Sequence, residues 1–393
     1  MAGTMLSQNQ SVSLGSGYAN DVFYSMENGV VGTASGADWD IALTAESMNV
    51  AVRINGGHGV KLYDLQSTLA DWATADTAGK MSSQYFNDEH DWSVGAFNQG
   101  ATGGMNYGWG DYNTSTHNVE GSRVFAMTWS DGTLKKVAIE SMSAGGNWTV
   151  RVSDLADSTW STLTASKSSY SGKKFLYMNL RQDSVLDREP AASTYDLIFG
   201  KYIAQLGGGM TYPVTGVRTK SGVFSAKVAG VDTLNVDVTA NPLNDTSAVT
   251  IGYDWKSFSM STFSWALADS TAYLIQPDVA SPIYQVVFKS FDGSSTGNLT
   301  FSQRIVSALS QEEWVSAPRF MAYPTPSMGQ LTVASELSGE LSICSMSGLT
   351  VHRQNIVSGV NEIVGLQGLP VGTYIIQAQL SDGSSHVTRW QCL

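Results

Sequence analysis

Two carboxylates, Asp38 and Asp40, flank Trp39 in the stretch DWDIAL. On a β-strand, residues two positions apart share one face at about 7 Å, which is similar to the separation of the paired carboxylates of glycosidases. A second copy of the pattern, TYDLIF, keeps Asp196 but has Thr194 in place of the first acid. Acids in such a pattern usually cap the backbone or pair with a basic group. We therefore interpret these acids as structural and expect no enzymatic activity.

The sequence shows no other pattern of residues that is typical of catalysis. Its five histidines and two cysteines form no cluster with carboxylates at the spacing of a metal site. No nucleophile elbow, phosphate-binding loop or dinucleotide fingerprint occurs. We therefore expect neither a structural metal nor a catalytic residue.

The composition predicts a globular all-β protein. Of the 393 residues, 42% are hydrophobic and only 14% are charged, which is typical of a chain that folds. Abundant Gly, Ser, Thr and aromatic residues, without a long helical period, favour strands. The net charge of -12 argues against a nucleic-acid partner, since phosphate binding needs clustered basic residues. No run has the length of a membrane helix and the first residues lack the pattern of a signal peptide, which alone would predict a cytoplasmic protein.

One hairpin-like stretch occurs twice. It reads VAIESMSAGGNWTV at residues 137–150 and VVFKSFDGSSTGNLTF at residues 286–301, and each copy has two alternating strands around a turn of small residues. The stretches WGDYNTST and WKSFSMST precede the two hairpins, and DWDIAL and TYDLIF lie further upstream in the same order. Three paired landmarks in one order predict a duplicated domain.

Aromatic residues gather ahead of both hairpins, at Trp109, Tyr112, Trp255 and Phe258. Rings among Gly, Asn and Ser suit stacking on a porphyrin or a sugar, and they suit contact with a protein equally well. Packing of the rings across a sheet produces the same pattern. The sequence favours packing for these four residues and leaves the surface interpretation open.

From about Pro318 onward, short alternating strands separated by Gly, Asn and Pro turns predict a small Ig-like β-sandwich. Three stretches, YPTPSMGQLTV, ICSMSGLTV and GLQGLPVGTYIIQ, resemble the type A C-terminal sorting domain of the type IX secretion system of Bacteroidota. The motif residues are Tyr323, Pro324, Pro326, Gly329, Gly372 and Tyr374.

This resemblance implies that the type IX secretion machinery exports the protein through the outer membrane to the cell surface or the medium. It also implies a signal peptide that has been removed, and it outweighs the cytoplasmic expectation. Both cysteines, Cys344 and Cys392, lie in this region. An oxidising route permits a disulfide between them, and two buried free thiols are an equal alternative.

A second resemblance covers most of residues 15–303. It is carried by DWDIALTAESMNVAVRINGGHG and RVFAMTWSDGTLKKVAIESM in the first repeat and by TYDLIFGKYIAQLGGGMTYP and TAYLIQPDVASPIYQVVFKSF in the second. These stretches are similar to the HmuY-like family of surface haem-binding proteins. The resemblance implies two tandem antiparallel β domains, over residues 1–165 and 166–310, before a linker and sorting domain over residues 311–393.

The HmuY-like resemblance also implies two axial ligands to haem iron, of His or Met type, in an apolar and aromatic pocket. One ligand position falls on Met260 in the second repeat and on Thr114, which cannot ligate iron, in the first. For the other position the candidates are His90 and Met210. An ordinary core or surface role for Met260, one of 14 methionines, stays open.

Taken together, these patterns predict an exported, non-enzymatic surface protein that binds a ligand outside the cell. Haem is the first candidate ligand, and a glycan or a surface protein are the others. The alternative is a structural or adhesive surface protein that keeps the HmuY-like fold without binding haem.

Overall fold

A computed structural model of the chain describes residues 7–47, 49–243, 245–307, 320–323, 327 and 329–393. The chain divides into two compact units, residues 1–309 and residues 310–393. Both units consist of antiparallel β-sheets, and the described residues contain no α-helix. The predicted all-β fold is therefore confirmed.

The strands follow one another along the chain with short connections in most places. The first fourteen are β1 (Gln8–Ser13), β2 (Asn20–Ser25), β3 (Gly29–Ser35), β4 (Ile41–Thr44), β5 (Val52–Ile54), β6 (Lys61–Ser67), β7 (Gly110–Tyr112), β8 (Val119–Gly121), β9 (Val124–Thr128), β10 (Leu134–Met142), β11 (Asn147–Asp154), β12 (Ser161–Ser166), β13 (Phe175–Asn179) and β14 (Ser184–Leu186). The next eight are β15 (Leu197–Gln205), β16 (Thr211–Thr219), β17 (Phe224–Ala229), β18 (Lys256–Ser259), β19 (Ser264–Leu267), β20 (Thr271–Gln276), β21 (Ile283–Phe291) and β22 (Asn298–Ser307). The second unit contains β23 (Phe320–Tyr323), β24 (Leu331–Ser335), β25 (Gly339–Ser345), β26 (Thr350–Ile356), β27 (Gly359–Ile363), β28 (Gly372–Leu380) and β29 (Ser385–Cys392).

Short 3-10 turns are the only helical elements in the described part of the chain. They are Ser16–Tyr18, Gly56–His58, Leu69–Asp71, Ala96–Asn98, Lys167–Tyr170, Ala192–Thr194 and Gly293–Ser295. Among the described residues, no helix has the length and hydropathy that a membrane span requires.

The first unit has two lobes that meet through a pair of four-stranded sheets. The first lobe comprises residues 37–189, and the second comprises residues 7–36 together with residues 190–307. The four-stranded sheets have the orders β14-β13-β4-β5 in the first lobe and β3-β2-β15-β16 in the second. Each lobe packs its four-stranded sheet on a larger sheet around its own core, and the two four-stranded sheets lie back to back.

Side chains of the four-stranded sheets alternate between two cores. In β4, Ile41 and Leu43 point into the core of the first lobe, whereas Ala42 belongs to a cluster shared by the two lobes. In β15, Phe199 points into the core of the second lobe and Ile198 into the shared cluster. Both faces of the central strands are therefore buried, which explains why β4 and β13 are apolar at nearly every position.

Both predicted hairpins are present, and they share an irregularity. β10 pairs with β11 and β21 pairs with β22, and in each pair the register shifts by one residue, at Glu140 and at Lys289. Such a β-bulge bends the strand and increases its twist. A bulge at the same place in both copies is what a duplicated domain predicts.

The N-terminal strands complete the second lobe. β1 pairs with β22, and β2 pairs with β15. The matching places in the first lobe are taken by β12, which pairs with β11, and by β13, which pairs with β4. The first repeat thus supplies its last strands from its own C-terminal end, while the second receives them from the beginning of the described chain.

The predicted division at residues 165 and 166 differs from this arrangement. β13 and β14 follow that division but pair within the first lobe, and β1 to β3 precede it but belong to the second lobe. The repeated landmarks did not reveal this because the pairing joins strands that are distant in sequence. The two lobes also form one compact unit and not two separate domains.

Residues 320–323, 327 and 329–393 form the predicted β-sandwich. Its two sheets have the orders β23-β24-β27 and β26-β25-β28-β29. Buried aliphatic side chains and Trp390 fill the space between the sheets. The prediction of a small sandwich in this region is confirmed.

The sequence left a disulfide and two buried free thiols as equal alternatives, and in this sandwich Cys344 and Cys392 are free thiols, of which only Cys392 is buried. They lie in β25 and β29, which are separated by β28, and only Cys392 points into the core. A disulfide needs Cα atoms about 4.4–6.8 Å apart. Strands that are separated by another strand lie about 9–10 Å apart, which is too far.

We expect Leu14→Ala to destabilise the second lobe more than the first. Leu14 follows β1, is fully buried in the core of the second lobe, and donates its backbone N–H to the carbonyl of Gly297. Truncation should cost about 2–5 kcal/mol of unfolding free energy. Hydrogen exchange should therefore rise in β21 and β22 and stay unchanged in β10 and β11. Asn9→Ala, at an exposed position of β1, is the control, and an equal rise in both hairpins would contradict the closing role of β1.

Candidate functional site

A cavity lies between the two four-stranded sheets, where the lobes meet. Its volume is about 60 Å³, which is room for a few water-sized groups. Strands of both lobes and the loop at residues 86–92 line it. Aromatic rings form much of its wall, and they include Phe23, Trp39, Trp92, Tyr177, Tyr195 and Tyr202.

Basic side chains are concentrated in the lining of this cavity. The six basic residues are Arg53, Lys174, Arg188, Lys201, Arg218 and Lys220. The four acidic residues are Asp21, Asp88, Glu89 and Glu189. In a chain with a net charge of -12, an excess of positive charge in one cavity favours the binding of an anion.

Arg53 and Arg218 occupy equivalent positions in the two lobes. Arg53 in β5 lies opposite Ala42, the second residue of β4, and Arg218 in β16 lies opposite Ile198, the second residue of β15. Both guanidinium groups contact the ring of Trp92, at 5.0 Å and 4.6 Å from its centre. One tryptophan of the first lobe therefore makes a cation–π contact with both arginines.

Backbone carbonyls satisfy Arg53. Its Nη1 donates to the carbonyls of Asp91 and Val94 at 2.8 Å and 3.0 Å, and its Nη2 donates to the carbonyl of Asp88 at 2.7 Å. Burial lowers the pKa of Arg53 to about 9, and the charge of Arg218 contributes to the lowering. Arg53 thus holds the loop that contains its three acceptors.

Arg218 lacks such partners. Its Nε is buried without a hydrogen-bond partner, and we find no hydrogen bond or ion pair to its guanidinium among the described residues. Burial lowers the pKa of Arg218. The guanidinium also lies 5.4 Å from the ring centre of Tyr202, whose hydroxyl is likewise buried without a partner. A buried donor without a partner is costly, so the Nε of Arg218 requires an explanation.

Two other cations of the cavity are paired with carboxylates of the protein. Arg188 pairs with Asp21 and Asp38, at 3.0 Å in each case. Lys174 pairs with Glu46 at 2.8 Å. These contacts make Arg218 the clearest candidate for contact with a ligand.

Glu189 lies in the wall of the cavity with a buried carboxyl group. Its Oε1 accepts the backbone N–H groups of Lys174 and Phe175, and its Oε2 accepts the hydroxyl of Tyr177. Burial raises the pKa of Glu189 to about 6, although these hydrogen bonds act in the opposite direction. The carboxyl group is therefore occupied by the protein and titrates at mildly acidic pH.

Asp38 and Asp40 have the structural roles that the sequence predicted. Asp38 pairs with Arg188, and the carboxylate of Asp40 accepts the indole N–H of Trp129 at 2.6 Å and the backbone N–H of Leu180 at 2.7 Å. Both acids precede β4, so they do not share the strand face that their spacing suggested.

The three candidate haem ligands lie outside this cavity. Met210, 65% exposed, is in the turn between β15 and β16. Gln205, just before that turn, donates its backbone N–H to Glu89 at 3.0 Å, so the segments that carry Met210 and His90 are in contact. Met260, 72% exposed, is in the turn of the β18–β19 hairpin. Met260 does not line the cavity between the lobes.

Packing accounts for two of the four aromatic residues ahead of the hairpins. Trp109 and Trp255 are fully buried, so the surface interpretation is wrong for both. Trp255 stacks on Phe288 with ring centres 4.0 Å apart. Tyr112 is half-buried and Phe258 is 43% exposed.

Four of the six residues of the sorting motif lie among the described residues of the sandwich. Pro324 and Pro326 lie outside the described residues. The other motif residues are Tyr323, Gly329, Gly372 and Tyr374. Tyr374 is buried, and its hydroxyl donates to the carbonyl of Pro370 at 2.8 Å. This bond ties β28 to the turn before it, similar to the tyrosine corner of Ig-like sandwiches.

Sequence reasoning did not single out the two arginines, although a signal for them exists. Each follows a valine, in AVRING after DWDIAL and in GVRTKS after TYDLIF. The distance from the landmark acid to the arginine is 13 residues in the first repeat and 22 in the second, because the hairpins have different lengths. The unequal spacing hid a fourth paired landmark.

Residues 321–390 match the family described as the secretion system C-terminal sorting domain. The predicted type IX sorting domain is therefore confirmed. A protein with this domain interacts with the secretion machinery and is exported through the outer membrane to the cell surface.

Comparison with curated proteins found no match for the chain. One similar solved structure is PorZ, an essential surface component of the type IX secretion system of Porphyromonas gingivalis, with 9% identity and a TM-score of 0.19 over 72% of this chain and 44% of PorZ. Another is the BSP domain of a biofilm-associated protein, with 11% identity and a TM-score of 0.17 over 100% of this chain and 67% of that one. The chain spans less than half the length of PorZ. At these scores neither similarity supports an inference about function, and the HmuY-like resemblance stays a prediction.

We expect Glu189→Gln to flatten the pH dependence of stability between about pH 4.5 and pH 6. The raised pKa means that the folded protein binds this proton more tightly than the unfolded chain does, so the contribution of Glu189 is complete below pH 4.5 and is lost as the pH rises through about 6. The loss should be about 2 kcal/mol. Urea unfolding of both proteins from pH 4 to pH 7 measures it.

Glu340→Gln, in the sorting domain, is the matched control because its side chain is 53% exposed. If the unfolding free energy of Glu189→Gln falls with rising pH as much as that of the wild type, Glu189 does not titrate as described.

Proposed function

We propose that this is a non-enzymatic surface protein that binds a small molecule outside the cell, in the cavity between the two lobes. The observation that carries the proposal is Arg218, a half-buried cation whose Nε is fully buried without a hydrogen-bond partner among the described residues. Buried charges are normally paired, so a ligand is the simplest source of the missing partner. Export to the cell surface agrees with a ligand of extracellular origin.

The wall of the cavity supports this proposal. Ligand sites are mostly apolar and aromatic, with a few polar groups that fix orientation, and this cavity combines rings such as Trp92 and Tyr177 with Arg218. Its lining also extends to Ser221, which is exposed. A small molecule therefore has a route from solvent that leaves the two sheets in place.

Filling the cavity should abolish ligand binding. In thermal-shift screening of small metabolites, we expect at least one to raise the unfolding temperature of the wild type. The shift should be lost in Ala42→Met, since Ala42 lines the cavity and the longer side chain would occupy it. Ala138→Met is the matched control, because Ala138 is equally buried but lies in a different cluster. A shift that survives in Ala42→Met, or a screen without any hit, would contradict the proposal.

Haem is a second candidate ligand, at a different place. The HmuY-like resemblance supports it, and so does the contact between the segments that carry His90 and Met210. A groove of about 430 Å³ borders Met210, with Phe86 in its wall. His and Met are ordinary axial ligands of haem iron.

A haem titration tests this second candidate. We expect a Soret band that shifts on reduction and is lost in both His90→Ala and Met210→Ala. Met260→Ala is the control, because this methionine is equally exposed but lies on the β18–β19 hairpin. Absence of a Soret band in the titration would exclude haem as the ligand. A Soret band that is lost only in Met260→Ala would place the haem site on the β18–β19 hairpin.

A structural or adhesive role is the remaining alternative. The β18–β19 hairpin supports it through four exposed apolar side chains: Phe258, Met260, Phe263 and Trp265. Exposed apolar groups that lie together commonly mark contact with another molecule. This role gains weight if neither the cavity nor the groove binds a ligand.

A further inference from the structure

The unpartnered groups of the cavity define the chemistry of its ligand. Three lining residues have a buried polar atom without a partner: the Nε of Arg218, the hydroxyl of Tyr202 and the Nε1 of Trp39. Guanidinium and indole N–H groups only donate hydrogen bonds, and a hydroxyl is able to donate one. The set therefore fits a ligand that offers acceptors, and the charge of Arg218 favours an acceptor that is negative.

The surroundings of Arg53 show which kind of hydrogen-bond acceptor Arg218 lacks. The two residues have the same register in equivalent sheets and contact the same ring of Trp92. Three carbonyl oxygens of the loop at residues 86–94 surround the guanidinium of Arg53. The guanidinium of Arg218 has no oxygen acceptor among the described residues. A ligand with two adjacent oxygens would give Arg218 the kind of partner that the loop gives Arg53.

The size of the cavity limits the ligands that fit into it. About 60 Å³ holds on the order of four or five water-sized groups, which is the size of a short carboxylate. The planar fork of a guanidinium matches the two oxygens of a carboxylate. The aromatic wall that includes Trp92 and Tyr195 suits a short hydrocarbon chain better than a fully hydrated ion.

We propose that the cavity recognises a short-chain carboxylate, whose oxygens accept hydrogen bonds from Arg218. This inference rests on the proposed function, because it assigns the ligand of the same cavity. Arg188 and Lys174 do not compete for the ligand, since each is already paired with carboxylates of the protein.

Calorimetric titration of the full chain with acetate and propionate tests the inference, with propionamide and inorganic phosphate as comparison ligands. We expect propionate to bind to the wild type and propionamide to bind at least tenfold more weakly. Arg218→Gln should weaken propionate binding at least tenfold, and Arg218→Lys should weaken it less because it keeps the charge but loses the fork. Arg353→Gln, a loss of the same charge at an exposed position of the sorting domain, should leave binding unchanged.

Several outcomes would overturn the inference. Equal binding of propionate by Arg218→Gln would show that another group holds it, and binding of phosphate without propionate would assign the site to an inorganic ion. Thermal unfolding of the ligand-free variants separates a structural role from a binding role. Removal of an unpaired buried charge should leave Arg218→Gln at least as stable as the wild type, and a marked loss of stability would make Arg218 structural.

The two proposals fail in different ways. If binding of a non-carboxylate ligand is lost in Ala42→Met but unchanged in Arg218→Gln, the cavity is a binding site and the carboxylate inference is wrong. If no ligand responds to Ala42→Met, the proposed function is wrong as well.

Discussion

Burial of the two four-stranded sheets on both faces is the constraint on which the rest of the first unit depends. Strand ends inside such a stack have no water to satisfy their backbone, and an unmet buried N–H group costs about 1–3 kcal/mol. Asp40 and Asp196 meet this need: Asp40 accepts the N–H of Leu180 where the chain leaves β13, and Asp196 accepts the N–H of Met26 where it leaves β2. Burial raises the pKa of both carboxyl groups, so each cap carries a desolvation cost. The recurring aromatic-Asp-aliphatic landmark therefore meets a backbone requirement of the stack.

The duplication explains how an unpaired arginine arises at the centre of the molecule. Equivalent registers bring Arg53 and Arg218 to the same ring, and the indole of Trp92 is fixed by its bond to the carbonyl of Thr219 at 2.8 Å. Only the first repeat supplies the loop at residues 86–94, whose carbonyls satisfy Arg53. This loop therefore takes part in the contact between the lobes, but its carbonyls accept hydrogen bonds from only one of the two arginines. The candidate site belongs to neither repeat alone, because both lobes contribute to its wall and to its unpartnered polar atoms, Trp39 from the first lobe and Tyr202 and Arg218 from the second.

Local patterns in the sequence were sufficient to predict the all-β class, both hairpins, the sorting sandwich and the structural roles of Asp38 and Asp40, but not the bulges in the hairpins. These features depend on neighbouring residues, so period-two alternation and turn composition reveal them. The exchange of β1 to β3 was not predictable in the same way, since β1 pairs with β22 across most of the first unit. Arg218 was missed for a related reason, because its significance lies in the partners that the fold fails to give it. The strands around the cavity mix apolar and charged residues, so their sequence does not indicate which face borders an empty space.

The closing role of the N-terminal strands connects folding with the site. β2 carries Asp21 and Phe23, which line the cavity, and it follows β1, which pairs with β22 at the far end of the first unit. Pairing over such a sequence distance is entropically costly and forms late. A molecule that binds only the closed form stabilises that form by mass action. A carboxylate held by Arg218 would lie between the cores of the two lobes. Its binding would therefore strengthen the contact between the lobes. If the proposed carboxylate binds, the same residue would set both the specificity of the cavity and part of the stability of the joined lobes.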